Sequence, residues 1–312
     1  MKKILLSFLQ FLQILLIIVL ITGFFGKYWG FFDSLSHFRI QQLTLLIVIT
    51  LLIVIIKWSK SSLWQLLFAI ILAIYYYFLT MPFIPLKAPI TGTFKHMQFN
   101  TNFKNDKMDE VVKFINKSDI DTVTLQEVTQ KHLKSLDKLN SEYGYKHFCK
   151  YASFGGVMII SRYPIIEGSK SCAQGFAKAQ VKIGESRVNI VSMHLFWPYP
   201  FHQAKQIDAL TPLLKSLKGY TLIAGDFNAA GWSYALKRVQ RASNTHIVNG
   251  LRYTIKPKEF VFDVMLPIDH ILLKNMIAKD IKVGSQMGSD HFMLISTIGI
   301  LYTKKNQRGT NE

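Results

Sequence analysis

The 312 residues carry 37 basic and 19 acidic side chains, a formal net charge of +18, and half of them are hydrophobic. Only two cysteines occur, without a CxxC pair or a Cys/His cluster of ligand spacing, which argues against structural zinc. Asp33 is the sole acidic residue of the first ninety positions and the other eighteen lie beyond Pro89, which excludes a single solvent environment for the whole chain.

Residues 4–25 form an apolar run interrupted by Ser7, Gln10, Gln13 and Thr22, long enough to cross a hydrocarbon core of roughly 30 Å. A cleaved signal peptide has a shorter run that ends at small residues, whereas this one passes into Gly26-Lys27-Tyr28-Trp29-Gly30. Two further runs, residues 40–58 and 63–80, are separated by a short loop holding Lys57 and Lys60, so residues 1–80 read as three transmembrane helices. Trp29, Trp58, Trp64 and the Tyr75-Tyr76-Tyr77 cluster lie near run ends, where amphipathic rings favour the headgroup level. Lys2, Lys3, Lys57 and Lys60 assign the N-terminus and the second loop to the cytoplasm, although the first loop sets Lys27 and Arg39 against Asp33. Three spans then put the remainder on the extracytoplasmic, periplasmic side of an inner or plasma membrane. Residues 81–92 are a Pro-containing linker, extended and semi-rigid, which keeps the following domain close to the bilayer.

Beyond the linker the chain holds thirty basic and eighteen acidic residues, an excess of +12 that attracts anions or serves solubility. Short apolar runs at residues 93–99, 123–126, 157–160, 188–193 and 221–224 read as strands, and residues 106–116 and 201–217 as amphipathic helices. Strand-to-strand links without helices, as around residues 145–194, predict a mixed sheet in a domain spanning 93–300, followed by a polar tail at 301–312. Cys149 and Cys172 are either inert thiols or a disulfide, and the outward topology with a hairpin through Gly155-Gly156 predicts the disulfide.

Six short strings stand at strand ends: Gln98-Phe99-Asn100-Thr101-Asn102, Leu125-Gln126-Glu127, Ser192-Met193-His194-Leu195, Gly225-Asp226-Phe227-Asn228, Ile268-Asp269-His270-Ile271 and Gly288-Ser289-Asp290-His291. Singly, each has a plain explanation as a cap, a turn or a surface dipeptide. In this order and spacing they resemble the endonuclease/exonuclease/phosphatase superfamily, with GDFN and the terminal SDH as the specific part. The resemblance covers residues 93–300. It implies an α/β fold like that of deoxyribonuclease I, a four-layer α/β sandwich of two mixed β-sheets flanked by helices.

The implied reaction is hydrolysis of a phosphodiester, which requires neutralised equatorial oxygens, an activated in-line water and help for the leaving oxygen. By resemblance, Glu127, Asn102 and Asp290 hold Mg²⁺ or Mn²⁺, hard ions that favour oxygen ligands. Asp226 orients or deprotonates water, Asn228 positions it and Asn100 orients these neighbours. His291 meets the scissile phosphate while Asp269 fixes its ring, and His194 serves the leaving oxygen. In deoxyribonuclease I the equivalent of His194 has a carboxylate partner. The stretch matched to it here, Gly175-Phe176-Ala177-Lys178-Ala179, offers none, and Lys178 is assigned to phosphate instead. Ser161-Arg162-Tyr163-Pro164 also matches the family and is read as structural, as is His270; His96, His132, His147, His202 and His246 are read as solvated or satisfied core residues.

For the substrate, nucleic acid in a nuclease-like enzyme is the first reading, and a phospholipid headgroup, in a sphingomyelinase-like or other phospholipid phosphodiesterase, is the alternative. A catalytically silent binding module is a third reading. Residues 195–201 hold Phe196, Trp197, Tyr199 and Phe201 at the rim of the expected site. They either fold back over the sheet edge, stack unpaired bases or enter the headgroup layer, and the short tether favours the last.

Overall fold

A computed structural model describes residues 1–81, 89–152, 155–256 and 265–302. Most of the expected linker, residues 82–88, and of the expected polar tail, residues 303–312, lies outside the described residues.

The N-terminal part contains α1 (Lys2–Thr22), α2 (Gly30–Ser36), α3 (Arg39–Ile56) and α4 (Lys60–Thr80). Three of these, α1, α3 and α4, are long and apolar enough to cross a membrane. Leu9, Ile49 and Ile53 pack between α1 and α3, while Leu20, Leu43, Leu46, Ala69 and Tyr76 join all three helices. Inside this bundle Gln13 donates to Thr50 Oγ1 at 2.9 Å, satisfying two polar groups that hydrocarbon could not. Outward, Ile4, Phe8, Phe11, Ile55, Trp64 and Phe68 are exposed, a surface suited to lipid rather than water.

The C-terminal part contains β1 (Ile90–Asn100), α5 (Met108–Lys117), β2 (Thr122–Val128), α6 (Gln130–Leu136), β3 (Tyr145–Ala152), β4 (Gly155–Ser161), β5 (Ser171–Ala173), β6 (Phe176–Ile183) and β7 (Ser186–His194). It continues through α7 (Gln203–Ser216), β8 (Tyr220–Asp226), α8 (Tyr234–Ser243), β9 (His246–Ile247), β10 (Asp269–Lys274), β11 (Met276–Ala278), β12 (Lys282–Val283) and β13 (Leu294–Leu301). One sheet runs β11-β13-β1-β2-β4-β3 with β12 on β13, and the other runs β5-β6-β7-β8-β10-β9. Each mixes parallel and antiparallel pairs. Phe94, Val157, Ile190, Leu222 and Ile271 fill the space between the sheets. Met108, Val111, Val112 and Ile115, one face of α5, cover the first sheet, and Ile207, Leu210 and Leu214 of α7 cover the second. The order helix, sheet, sheet, helix is the expected four-layer sandwich. β1 begins at Ile90 and pairs with Leu301, so ordered sheet reaches three residues into the expected linker.

The two cysteines form a disulfide, but the hairpin is not what joins them. That hairpin pairs β3 with β4 inside one sheet, whereas Cys172 lies on β5, at the edge of the other. The bond therefore staples one sheet edge to the other.

The two parts are docked through the first inter-helix segment. Asp33 on α2 is buried, and its carboxylate accepts the backbone N–H groups of Tyr234 and Ala235 at 2.6 and 2.9 Å, capping the first turn of α8. Trp232 donates its indole N–H to the Ser36 carbonyl at 2.6 Å, and Gln41 reaches the Met265 carbonyl at 3.0 Å.

Candidate active site

The inward side chains turn polar toward one end of the sandwich, following the two-residue repeat of each strand. On β1, Phe94 is followed on the same face by His96, Gln98 and Asn100; on β8, Tyr220, Leu222 and Ala224 are followed by Asp226. Register then aligns the ends. His194 pairs with Asp226, and Asp226 with Asp269, so these three stand abreast on β7, β8 and β10. Gly225 permits the close approach, since a Cβ there would lie 1.8 Å from the Met193 carbonyl oxygen. Between the sheets, Gln98 donates to Gln126 at 2.9 Å and to Asp269 at 2.8 Å, while Gln126 donates to Ser192 at 2.9 Å.

Glu127 leaves the β2 ladder with φ of 56°, at an irregularity in the pairing with β4. Asn102 and Asn228 also have positive φ, 57° and 46°. Asparagine tolerates this left-handed region, whereas glutamate is strained in it, a cost of order 1–3 kcal/mol that the surroundings must hold in place.

The structure brings all nine expected site residues together. Asn100 Nδ2 donates to Asp226 Oδ2 at 3.0 Å and to Glu127 Oε1 at 3.1 Å. His291 Nδ1 lies 2.8 Å from Asp269 Oδ2, and its Nε2 is 3.7 Å from Asp226 Oδ2. From the other side, His194 Nε2 lies 3.5 Å from Asp226 Oδ2 and 3.8 Å from Glu127 Oε1. Asn102 Nδ2 donates to Asp290 Oδ1 at 2.7 Å, and the Asn228 backbone N–H to Asp226 Oδ1 at 2.8 Å. A cavity of about 450 Å³ opens over this cluster, lined by Asn102, Glu127, Asp226, Asn228, Asp290 and His291, with Trp197 beside it.

Burial and charge act against each other here. Burial alone would keep His291 neutral, but Asp269 and Asp226 outweigh it and lift the imidazole to about 10. Burial likewise opposes charge on His194, and Asp226 with Glu127 overcomes it, so this pKa is also raised. Asp226 is held below the usual carboxylate range: burial works the other way, and His291 and His194 prevail. Asp269 is raised, chiefly by burial.

The donor chemistry fits a hard divalent cation. Glu127 and Asp290 supply carboxylate oxygens and Asn102 an amide oxygen to one cavity, and the buried Asn228 Oδ1 has no hydrogen-bond partner among the described residues. Glu127, His194 and Asp226 form a second set whose ligand atoms lie within 4.8 Å of one another, and Glu127 belongs to both.

Two assignments change. Lys178 shares the outer face of β6 with Phe176, while Ala177 and Ala179 face the inter-sheet core with His194 beyond them; the lysine is on the wrong side for phosphate. The partner of His194 is instead Tyr151 on β3, whose hydroxyl meets His194 Nδ1. Burial, then Glu127 and Asp226, pushes the Tyr151 phenol upward, so it remains protonated. Sequence reasoning missed it because no motif surrounds it and its strand neighbours are not chemical. His270, bonded to the Ala229 carbonyl at 2.8 Å, and Arg162, bonded to Ser118 and stacked on Tyr143, have the structural roles expected of them.

At the rim, Trp197, Tyr199 and Phe201 are exposed rather than folded over the sheet edge. Tyr199 packs edge-on against Trp29 and Phe31, with ring centroids 5.6 and 5.8 Å away, joining the rim to the inter-helix segment.

The family model described as the endonuclease/exonuclease/phosphatase family matches residues 97–291. The chain belongs to this family. Among solved structures of the same fold is TDP2 from D. rerio, complexed with a single-strand DNA product, at 17% identity and a TM-score of 0.56, covering 66% of this chain and 99% of that one. A family protein from Bacteroides vulgatus is 15% identical with a TM-score of 0.56, covering 67% and 100%. The beta toxin of Staphylococcus aureus, in a variant with bound magnesium ions, is 16% identical with a TM-score of 0.52, covering 66% and 99%. In each, the part of this endonuclease/exonuclease/phosphatase chain left uncovered is about a third. No curated protein matches the chain.

Proposed function

We propose that this protein is a membrane-anchored, divalent-metal-dependent phosphodiesterase whose domain of residues 93–300 carries the chemistry. The observation that carries the reading is Asp226: a buried, ionised carboxylate with His194 Nε2 at 3.5 Å, His291 Nε2 at 3.7 Å and the Asn100 amide at 3.0 Å, at the floor of an open cavity. It takes the proton of an attacking water, which Asn228 orients from the next turn. His291, cationic at neutral pH, presents Nε2–H to a phosphoryl oxygen, and Asp269 holds its ring. His194 presents Nε2–H to the leaving oxygen. Glu127, Asn102 and Asp290 would hold Mg²⁺ or Mn²⁺, which when bound neutralises charge on the phosphoryl oxygens. Magnesium in the related beta toxin is consistent with that choice.

For substrate, a lipid headgroup is favoured by the aromatic rim, which runs from Trp197 at the cavity to Tyr199 on Trp29 of the anchor. Single-stranded nucleic acid is the second reading, favoured by the +12 domain and by the DNA product held by the related TDP2. The test is the full-length protein in mixed micelles with Mg²⁺, assayed against phospholipids, DNA and RNA. Asp226→Asn, Glu127→Gln and His291→Ala are each expected to stay folded and lose at least about a hundredfold in turnover. Near-wild-type activity in two of the three, or full activity under chelation, overturns the reading.

A further inference from the structure

A second cavity, of about 340 Å³, lies apart from the catalytic one, where the anchor meets the domain. Phe24 after α1, Arg39 at the start of α3 and Thr80 at the end of α4 line one side of it, so it sits at the level where all three long helices end. Trp232, Lys237 and Asn249 of the domain line the other.

Arg39 is a charged side chain 95% withdrawn from solvent, since only 5% of it is exposed. Its guanidinium lies over the Phe24 ring at 4.4 Å and near Tyr76 at 5.7 Å, and one terminal nitrogen donates to the Gly23 carbonyl at 2.7 Å. Nε has no partner among the described residues. Asp33 favours the charged forms of Arg39 and Lys237, but its two oxygens are hydrogen-bonded by the N–H groups of Tyr234 and Ala235. Lys237 stands across the cavity with Arg241 one turn further along α8, and burial together with Arg39 and Arg241 holds its ammonium below the usual lysine range. A buried arginine with a free donor, a second cation and an aromatic wall at the end of a helical bundle make a concentration of positive charge that the single carboxylate of Asp33 offsets only in part. Such sites between helices suit phosphorylated head groups, with acyl chains running along the exposed apolar faces.

We propose that this cavity binds the phosphate of an anionic membrane lipid between Arg39 and Lys237. The lipid is a structural ligand, seated where it would brace the anchor against the domain, and the proposal does not depend on the catalytic reading. The test follows the melting temperature of delipidated full-length protein in neutral detergent, with divalent metal chelated, against phosphatidylglycerol, phosphatidylcholine and inorganic phosphate. Phosphatidylglycerol is expected to raise the melting temperature saturably, and Lys237→Gln to raise the half-saturating concentration about fivefold. Arg39→Gln should abolish the response; because Arg39 also holds Gly23, the Lys237 variant decides the matter if that protein does not fold. Equal protection by phosphatidylcholine or by inorganic phosphate at the same concentration overturns the proposal, as does an unchanged response in Lys237→Gln.

Discussion

Tyr151 changes how His194 is understood. A carboxylate partner would bind Nδ1–H only, whereas a protonated phenol can donate to Nδ1 or accept from it. Asp226 and Glu127 beside Nε2 repel a lone pair there, so in either ring form the hydrogen stays on Nε2 and faces these two carboxylates. Tyr151→Phe keeps the ring and loses that orientation; kcat is expected to fall by about tenfold or more with KM little changed. The imidazole ¹⁵N shift of Nδ1, which loses its hydrogen-bond partner, should move, and an unchanged shift would deny Tyr151 this role. Away from the site, His96 and His270 are buried and neutral, pushed by burial from 6.5 to about 3 and about 4. As pH falls the unfolded chain binds these protons first. Their contribution to stability is therefore complete above about pH 6.5 and is lost progressively down to about pH 4 for His270 and pH 3 for His96. Melting curves from pH 7 to 4.5 should show the decline, and a shallower slope in His96→Gln would assign part of it. At this scale the sequence was most legible where a residue belongs to a string, as Asp226 and Asn228 do. Tyr151 was invisible because its relation to His194 exists only across the gap between sheets.

The elements themselves were largely legible, because apolar alternation marks the inner and outer faces of β1, β7 and β8 and the apolar stripe marks α5. What the pattern could not give was α2. Its seven residues are too few for a periodic signal, and its role is set by contact with a segment two hundred positions away. Asp33 illustrates the point: read alone it is a stray acid in a basic loop, yet it caps α8. Asp33→Asn in the full-length protein is expected to cost on the order of 1 kcal/mol, the usual range for a helix cap or a charge at a helix N-terminus. A lower melting temperature with unaltered kcat on a small soluble ester would be the signature, and an unchanged melting temperature would mean the Asp33 charge contributes nothing to stability. The disulfide belongs to the same class. Cys149 and Cys172 were legible as a pair, but the edges they join are in different sheets, which no local hairpin could have announced.

For the molecule as a whole, we propose an oxidising, extracytoplasmic side for the domain, on the ground of the disulfide and the loop charges. An alkaline phosphatase fused to the C-terminus should be active, and bright fluorescence from an ordinary green fluorescent protein there would reverse the topology. Replacing Phe196, Trp197 and Tyr199 together by serine should weaken association with lipid substrate while leaving cleavage of a short single-stranded oligonucleotide unchanged; the opposite loss would assign the rim to base stacking. The docking of α2 on α8 carries a further consequence. A domain held by Asp33, Trp232 and Gln41 does not swing freely on its tether, so with the three apolar helices in a bilayer, as proposed, its mouth would stay at one height above the lipid plane. Encounter with a lipid substrate would then become a lateral search in two dimensions. The rate should follow the mole fraction of substrate in the surface, falling when inert lipid dilutes it even though the bulk concentration stays the same.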